Sequence, residues 1–377
     1  MYIRQRIREI MITDKIVKPL LEWYDQNKRI LPWRESRNPY RIWVSEIMLQ
    51  QTRVEAVKPY FDRFVCELPD VESLANIQED SLLKLWEGLG YYNRVKNMQK
   101  AARILMDEYE GKMPSEYGLL LRLPGIGSYT AGAIASIAFD RPVVAVDGNV
   151  LRIITRLTAD DSDVLNEKFK RKIQEELLKL VPLDRPGDFN QALMELGATV
   201  CVPNGAPKCD ICPWNSLCVA RKQGRLDEIP YKKKKKARSI EQKTVLLLRD
   251  GEKTLIRKRP NEGLLAGLFE FPTFEGQLTA EEVCVEAEKL GYHALYAEEL
   301  PPAVHIFSHK EWHMKGYLVR VEEKGFSQEK AEGDDGWGRE CHLVTSEMIQ
   351  SEYPIPSAFR AFTPYVNVAL GNERFLR

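Results

Sequence analysis

The spacing of the hydrophobic residues changes once along the chain. Across residues 13–225 apolar side chains recur at i, i+3, i+4 and i+7, as in residues 150–157, and this spacing predicts amphipathic helices. Short segments with proline and glycine, such as Leu123-Pro124-Gly125, separate the helices. We therefore expect a mainly α-helical domain over residues 1–225.

After residue 243 the pattern changes to short apolar runs that are separated by turns. Residues 244–248 and 254–256 are predicted strands on either side of Asp250-Gly251, and further strands are expected near 303–307 and 315–321. The segment 280–289 has the pattern of a helix that ends at Gly291. Residues 241–377 are therefore predicted to form an α+β domain.

The segment between the two domains, residues 226–240, is predicted to be a linker. It contains Pro230 and the lysine run 232–236, and like charges keep such a run extended. The net charge is zero, yet residues 201–240 contain ten basic and three acidic residues. A solvated tether is the simpler interpretation of the lysine run, and contact with phosphates is the alternative.

Composition excludes several classes of protein. With 44% hydrophobic and 29% charged residues over 377 positions, the chain is typical of a globular protein with two domains. It contains no apolar run that could span a bilayer, and its charged start, residues 1–8, leads into no signal-like apolar segment. We expect a cytoplasmic monomer.

Four of the seven cysteines lie within eighteen residues. An odd total and one tight cluster favour a metal site over disulfides. The spacing is compatible with a [4Fe–4S] cluster and with tetrahedral zinc; it favours the former slightly, because zinc ribbons more often contain two Cys-x2-Cys pairs. Such a site could also serve only to hold a loop together. The candidate ligands are Cys201, Cys209, Cys212 and Cys218.

A glycine-rich hairpin and an aspartate carry the first candidate chemistry. Gly125 and Gly127 let the backbone approach a surface closely, and the amides that lead into the helix at Ser128 can face a phosphate. Asp147 follows a buried-looking apolar run, residues 142–146, twenty residues after Gly127. By itself Asp147 is an ordinary helix N-cap. Together with the hairpin, it is placed to face a sugar on a bound strand.

Residues 123–138 followed by Val146-Asp147 resemble the helix-hairpin-helix DNA glycosylase superfamily. The four cysteines are similar to those of its endonuclease III branch, which implies a [4Fe–4S] cofactor, although the first gap is seven residues here and usually six there. Bifunctional members of that branch have a lysine where this chain has Tyr129, and a phenol cannot form a Schiff base. The resemblance implies a monofunctional enzyme, with an endonuclease III-like pyrimidine glycosylase and lyase as the alternative.

Residues 31–34, 43–54, 86–92 and 189–197 resemble adenine DNA glycosylases. This resemblance implies double-stranded DNA with adenine opposite 8-oxoguanine or guanine as the substrate. It implies Glu46 as the acid that protonates adenine and Asp147 as the group that stabilises the sugar cation, assisted by Tyr129 and Asn149. The residues that the resemblance implies for the adenine pocket are Arg29, Leu31, Trp33, Arg34 and Gln191. It also implies that Gln51 and Tyr91 wedge into the base stack and fill the space around the damaged pair.

Helical spacing adds a prediction about Glu46. If one helix runs through residues 43–53, then Glu46, Gln50 and Arg53 share one of its faces. A glutamate on a helix is usually solvated, which is the alternative to a catalytic role for Glu46.

The second domain resembles a Nudix fold at residues 263–272. Its expected helix, 283–291, lacks the arginine and most of the carboxylates that bind magnesium in active Nudix hydrolases, so we expect no pyrophosphate hydrolysis. The resemblance implies that Phe307, Ser308 and His309 read 8-oxoguanine. The simpler alternative is a core phenylalanine and a solvated histidine. A Nudix hydrolase with a DNA-binding arm and a damage binder without catalysis remain as other functions.

Overall fold

The computed structural model describes residues 14–233, 237–323 and 341–371. Within them the chain forms two compact units: a helical unit of residues 14–76 and 97–233, and a mixed unit of 77–96, 237–323 and 341–371. This confirms the predicted combination of a mainly α-helical domain and an α+β domain. The segment 77–96 packs with the C-terminal unit, a grouping that the sequence-based domain bounds do not contain.

The helices before residue 223 account for nearly all regular structure in that part of the chain. In chain order they are α1 Val17–Asn27, α2 Pro39–Met48, α3 Val54–Glu67, α4 Val71–Asn76, α5 Glu79–Leu85, α6 Asn93–Tyr109, α7 Tyr117–Leu120, α8 Ser128–Phe139, α9 Gly148–Thr158, α10 Glu167–Leu178, α11 Pro186–Thr199 and α12 Val219–Lys222. A core that includes Trp23, Ile154 and Phe189 joins α1, α9, α10 and α11. None of the helices in the described part of the chain is long and apolar enough to cross a membrane.

The helix α2 is capped at its start and ends before Gln50. Asn38 caps its start by accepting hydrogen bonds from the amides of Tyr40 and Arg41 at 2.9 and 3.1 Å. The helix ends at Met48, before Gln50 and Arg53, so the prediction that these two residues share a helical face with Glu46 is wrong. The chain instead turns after Met48 through Gln51, whose φ is +60°.

The mixed unit contains a sheet that is covered on both faces. Its strands are β1 Ser239–Asp250, β2 Lys253–Lys258, β3 Phe269–Glu270, β4 Thr273–Glu275, β5 Tyr292–Ile306, β6 Lys310–Glu323 and β7 Cys341–Thr345. They are arranged in the order β3-β2-β1-β6-β5, and β4 pairs with β1 while β7 pairs with β2. Residues Val245 and Leu247 of β1 face one core while Leu246 and Leu248 face another, as the alternation of strand side chains requires.

β1 and β2 pair in the antiparallel sense on either side of Asp250-Gly251, as predicted, and β5 and β6 are longer than predicted. β1 and β6 run parallel, and β5 pairs with β6 in the antiparallel sense. The helix α13, Ala280–Lys289, has the predicted bounds and begins with a capping box between Thr279 and Glu282. A final helix, α14, spans Ser346–Ser351. The lysines 234–236 of the predicted linker lie outside the described residues.

Candidate active site

A cavity of about 930 Å³ lies within the helical unit. The loops before α2 and after it, the hairpin before α8, the start of α9 and the helix α11 all contribute to its wall. Residues that the sequence analysis singled out and that line it are Arg29, Leu31, Trp33, Arg34, Glu46, Gln51, Gly125, Gly127, Ser128, Tyr129, Asp147, Asn149 and Gln191. Segments that are far apart in the sequence therefore meet at one cavity.

Glu46 is buried in the wall of this cavity rather than solvated. It is 6% exposed, and the Tyr129 hydroxyl donates a 2.5 Å hydrogen bond to its Oε2. Burial raises the pKa of Glu46 to about 7, and the nearby Asp147 carboxylate adds to the rise, while the Tyr129 hydrogen bond and Arg34 oppose it. A carboxyl with this pKa can both hold and release a proton at neutral pH.

Asp147 is the N-cap of α9 and also lines the cavity. Its Oδ1 accepts a hydrogen bond from the amide of Val150, and its Oδ2 accepts one from Asn149 Nδ2, both at 2.7 Å. Burial raises the pKa of Asp147, and these hydrogen bonds oppose the rise. Each carboxylate oxygen has a second lone pair, so the capping role leaves Asp147 able to face a developing positive charge.

Arg152 continues the hydrogen-bond chain from Asp147 and Asn149. Its Nη2 donates to Asn149 Oδ1 and to the carbonyl of Gly197, and its Nε donates to the carbonyl of Cys201, each at 2.8 Å. A Cβ on Gly197 would lie 2.6 Å from Asn149 Cβ, so only glycine fits there. No local sequence pattern pointed to a role for Arg152 or Gly197.

The extended segment before Asp147 is held by a side chain instead of a neighbouring strand. Asn190 Nδ2 donates to the carbonyl of Val143, and its Oδ1 accepts from the amide of Ala145, both at 2.8 Å. Gly132 lets this segment approach α8, because a Cβ there would lie 2.4 Å from the Val144 carbonyl oxygen. Asn190 and Gly132 thus fix the path of the chain into Asp147.

Glu195 organises the other side of the cavity, and sequence reasoning did not identify it. Its carboxylate is buried and accepts from Arg29 Nε at 2.6 Å and from Arg34 Nη2 at 2.8 Å. Burial alone would raise the pKa of Glu195, but the two guanidinium groups outweigh it and lower the pKa. Glu195 is therefore an anion that fixes Arg29 and Arg34 beside the apolar wall of Leu31 and Trp33.

The hairpin presents an exposed helix start at the cavity. Gly125 has a φ of +78°, and a Cβ there would lie 2.8 Å from Asn97 Cβ, so the turn requires glycine. Gly127 is the N-cap of α8, and both it and Ser128 are exposed. The unpaired amides at such a helix start favour an anionic ligand.

The remaining predicted substrate contacts lie in the mixed unit. Tyr91 is 49% exposed with a φ of +48°, and its hydroxyl lies 3.4 Å from Ser308 Oγ. Phe307 is half-buried, with its ring edge-on to Trp312 at 4.9 Å, so it is partly a core residue. Ser308 and His309 are exposed beside it.

The four clustered cysteines lie in the loop that follows α11 and at the start of α12. Burial raises the pKa of Cys212 to about 12, and the charges of the other three thiols add to the rise. Arg156 Nη1 lies 3.4 Å from Cys201 Sγ. Among the residues that the structure describes, no three His, Cys, Asp or Glu side chains form a group that could hold a metal ion. The cluster therefore stays a prediction.

The fold and the cavity define a class of protein, the helix-hairpin-helix DNA glycosylases. Residues 44–182 match the model of the HhH-GPD superfamily base excision DNA repair protein, and residues 244–363 match that of the NUDIX domain. The solved structure of a thermostable thymine-DNA glycosylase superposes with a TM-score of 0.51 at 28% identity, over 58% of this chain and 98% of that one.

Relatives that match most of the chain identify the family within this class. The adenine DNA glycosylase of Buchnera aphidicola subsp. Schizaphis graminum is 34% identical over 316 residues, which cover 83% of this chain and 90% of that protein. The adenine DNA glycosylase of Rattus norvegicus is 36% identical over 361 residues, which cover 80% of this chain and 70% of that protein. The chain belongs to the adenine DNA glycosylase family. It is an enzyme of base excision repair that acts on N-glycosidic bonds in DNA.

Proposed function

We propose that this enzyme hydrolyses the bond between deoxyribose and an adenine that lies opposite 8-oxoguanine or guanine in double-stranded DNA. The observation that carries the proposal is the pair of carboxyl groups in one cavity, Glu46 with a pKa of about 7 and Asp147 at a helix start. Such a pair supplies an acid and a cation-stabilising group to a single sugar.

The first step requires a protonated leaving group. Adenine leaves the base stack and enters the cavity, where Leu31 and Trp33 supply an apolar wall. Because the Tyr129 hydroxyl donates to Glu46 Oε2, the acidic proton of Glu46 resides on Oε1. That proton passes to N7 of adenine, the C1′–N9 bond breaks, and its electron pair leaves with the base.

The second step completes hydrolysis. The Asp147 carboxylate stabilises the oxocarbenium character of the sugar, and the Asn149 hydrogen bond holds that carboxylate in place. Glu46, now ionised, accepts a proton from the water that attacks C1′. The products are free adenine and an abasic site, and Glu46 is again protonated.

We further propose that the reaction is monofunctional. Tyr129 stands where lyases of this class have their lysine, and its hydroxyl is hydrogen-bonded to Glu46. One lysine, Lys232, is among the residues that line the cavity, and it provides the sharp test. We expect little covalent trapping on abasic DNA with borohydride, no strand cleavage, and loss of any residual trapping in Lys232→Ala but not in Lys233→Ala. Efficient strand cleavage would favour the endonuclease III-like alternative.

We propose that Cys201, Cys209, Cys212 and Cys218 hold a [4Fe–4S] cluster that fixes the loop after α11. All four cysteines are partly buried, thiolates suit a cationic iron core, and the guanidinium groups of Arg152 and Arg156 beside Cys201 offset the negative charge of the thiolates. Hydrolysis needs no electron transfer, so the group supplies structure rather than redox chemistry. Iron and acid-labile sulfide in the purified protein would support this, whereas stoichiometric zinc would contradict it.

We propose that the mixed unit recognises 8-oxoguanine through Phe307, Ser308 and His309, and that Tyr91 and Gln51 insert into the base stack and fill the space around the damaged pair. Three features support this role: Ser308 and His309 are exposed, Tyr91 is exposed, and its hydroxyl lies beside Ser308.

Adenine release under single-turnover conditions tests the whole proposal. Duplexes would contain adenine opposite 8-oxoguanine, guanine or thymine, and wild-type protein would be compared with Asp147→Asn. We expect release opposite 8-oxoguanine and guanine but not thymine, and a loss of about 10²-fold or more in the variant. A protein that binds the lesion duplex without releasing adenine would instead be a damage binder.

A further inference from the structure

The loop that carries Tyr91, residues 86–91, has one tightly held conformation. Trp86 is buried and its Nε1 donates to the carbonyl of Gly90 at 3.0 Å. Arg94 Nη2 donates to the carbonyls of Leu89 and Gly90, both at 3.0 Å. Gly90 and Tyr91 have φ values of +67° and +48°, and only the first is a residue suited to that conformation. The loop therefore holds an exposed aromatic side chain in a strained position.

A buried ion pair fixes the base of this loop within the mixed unit. Lys84 Nζ donates to Glu87 Oε1 at 3.1 Å and to the carbonyls of Ile349 and Tyr353, both at 2.9 Å. These acceptors use all three of its N–H groups. Glu87 Oε1 also accepts from the amide of Ile355 at 2.9 Å. Lys84 and Glu87 thus join the end of α5 to residues 349–355.

Stabilisation of the contact between the loop and residues 349–355 does not explain why this pair is buried. Lys84 and Glu87 are 6% and 0% exposed, and the cost of desolvating two charges offsets most of their attraction. A partly exposed pair, Lys258 with Asp80 at 2.6 Å, already joins α5 to β2 at a lower desolvation cost. The buried pair adds geometry, because its three hydrogen bonds to residues 349–355 fix the position of the loop relative to that segment.

We propose that Lys84 and Glu87 are positioning residues that hold Tyr91 against Ser308, so that both contact the 8-oxoguanine nucleotide as parts of one rigid body. This inference rests on the proposed lesion-reading role of residues 307–309. It follows that the preference for 8-oxoguanine over guanine depends on this pair. Chemistry at Glu46, which lies in the helical unit, does not depend on it.

The test compares Lys84→Met with the matched control Lys258→Met. The readout is the ratio of single-turnover adenine release opposite 8-oxoguanine to that opposite guanine, with enzyme concentrations corrected by active-site titration. We expect the ratio to fall about tenfold in Lys84→Met, the size of one lost base contact, and to stay within about twofold in Lys258→Met. A preserved ratio in Lys84→Met would overturn the inference. Absence of any preference in the wild type would instead overturn the proposed function.

A second variant separates positioning from folding. Lys84→Met with Glu87→Leu replaces the buried charges with apolar side chains, which commonly preserves stability, but it removes the hydrogen bonds to residues 349–355. We expect a melting temperature close to that of the wild type and a ratio still reduced about tenfold. We also expect a smaller fluorescence change from 2-aminopurine placed beside 8-oxoguanine, because Tyr91 inserts less regularly. If the release ratio and the fluorescence change both return to wild-type values in this double variant, the pair only stabilises the fold and does not position Tyr91.

Discussion

Replacing Glu46 by glutamine should slow catalysis strongly and, at alkaline pH, stabilise the protein. The folded-state pKa of Glu46 is about 7 against an ordinary value of 4.5, because burial disfavours its charge. Its contribution to stability is therefore present in full below pH 4.5 and is lost as the pH rises through about 7. Glutamine cannot ionise, and its amide oxygen can still accept the hydrogen bond from Tyr129.

The structure gives the size of both effects. The rise in the pKa of Glu46 corresponds to about 3 kcal/mol at pH 8, at 1.36 kcal/mol for each pH unit. For the helical unit, this free energy corresponds to a rise in Tm of about 6–12 °C in Glu46→Gln at pH 8. No rise is expected at pH 4. Removal of a general acid should lower the rate of adenine release by about 10²- to 10⁴-fold. In the wild type the rate should fall above about pH 7, as Glu46 loses its proton.

Two measurements on one variant check this reasoning. Thermal unfolding followed by circular dichroism at pH 4, 6 and 8 would give the difference in Tm, and quenched single-turnover reactions would give the release rate. Glu22→Gln, at an exposed position on α1, serves as the control and should change neither. Adenine release within tenfold of the wild-type rate, or a difference in Tm that is the same at pH 4 and pH 8, would refute the assignment of Glu46 as a buried acid.

Three further substitutions test the groups that shape the cavity. Gly197→Ala should cost about 1–3 kcal/mol in urea denaturation and slow adenine release, because the new Cβ displaces Asn149, whereas Gly118→Ala meets nothing within 4 Å and should be neutral. Asn190→Ala should cost about 2–4 kcal/mol, since a buried amide and a partly buried carbonyl before Asp147 lose their partners; a loss below 1 kcal/mol would contradict the role of Asn190. Glu195→Gln should cost about 3 kcal/mol at pH 7 and progressively less in acid, where the wild-type carboxyl with its lowered pKa also becomes neutral; an equal cost at every pH would contradict the ion-pair role of Glu195.

The sequence predicted those helices, strands and turns well that are determined by residues close together in the chain. The apolar run before Asp147, the hairpin glycines and the bounds of α13 all follow from residues that are close in the sequence. The strand expected near 303–307 is longer in the structure, where β5 spans Tyr292–Ile306 and contains Pro301 and Pro302. In the structure they sit in a register shift between Leu300 and Ala303, on a strand at the edge of the sheet where missing N–H groups are tolerated.

Other features could not be predicted, because their cause lies far away in the sequence. The segment 77–96 joins the mixed unit through Lys84 and Glu87, whose partners near residue 350 are more than 260 positions away. Likewise, Glu46 contacts Tyr129, which is 83 positions away in the sequence, and lies in a cavity whose wall comes from several distant segments. A helical glutamate carries no local sign that it will be buried.

The three carboxyl groups of the cavity show how the surroundings, and not the residue type, assign the chemical role. Glu46 and Glu195 are both buried, yet the pKa of the first is raised and that of the second is lowered. The difference is that two guanidinium groups contact Glu195, whereas a phenol and the nearby Asp147 carboxylate face Glu46. Glu195 therefore stays charged and fixes the pocket, while Glu46 holds a proton that it can donate. Exchanging these roles would require moving the arginines, since neither glutamate has any chemical property that the other lacks.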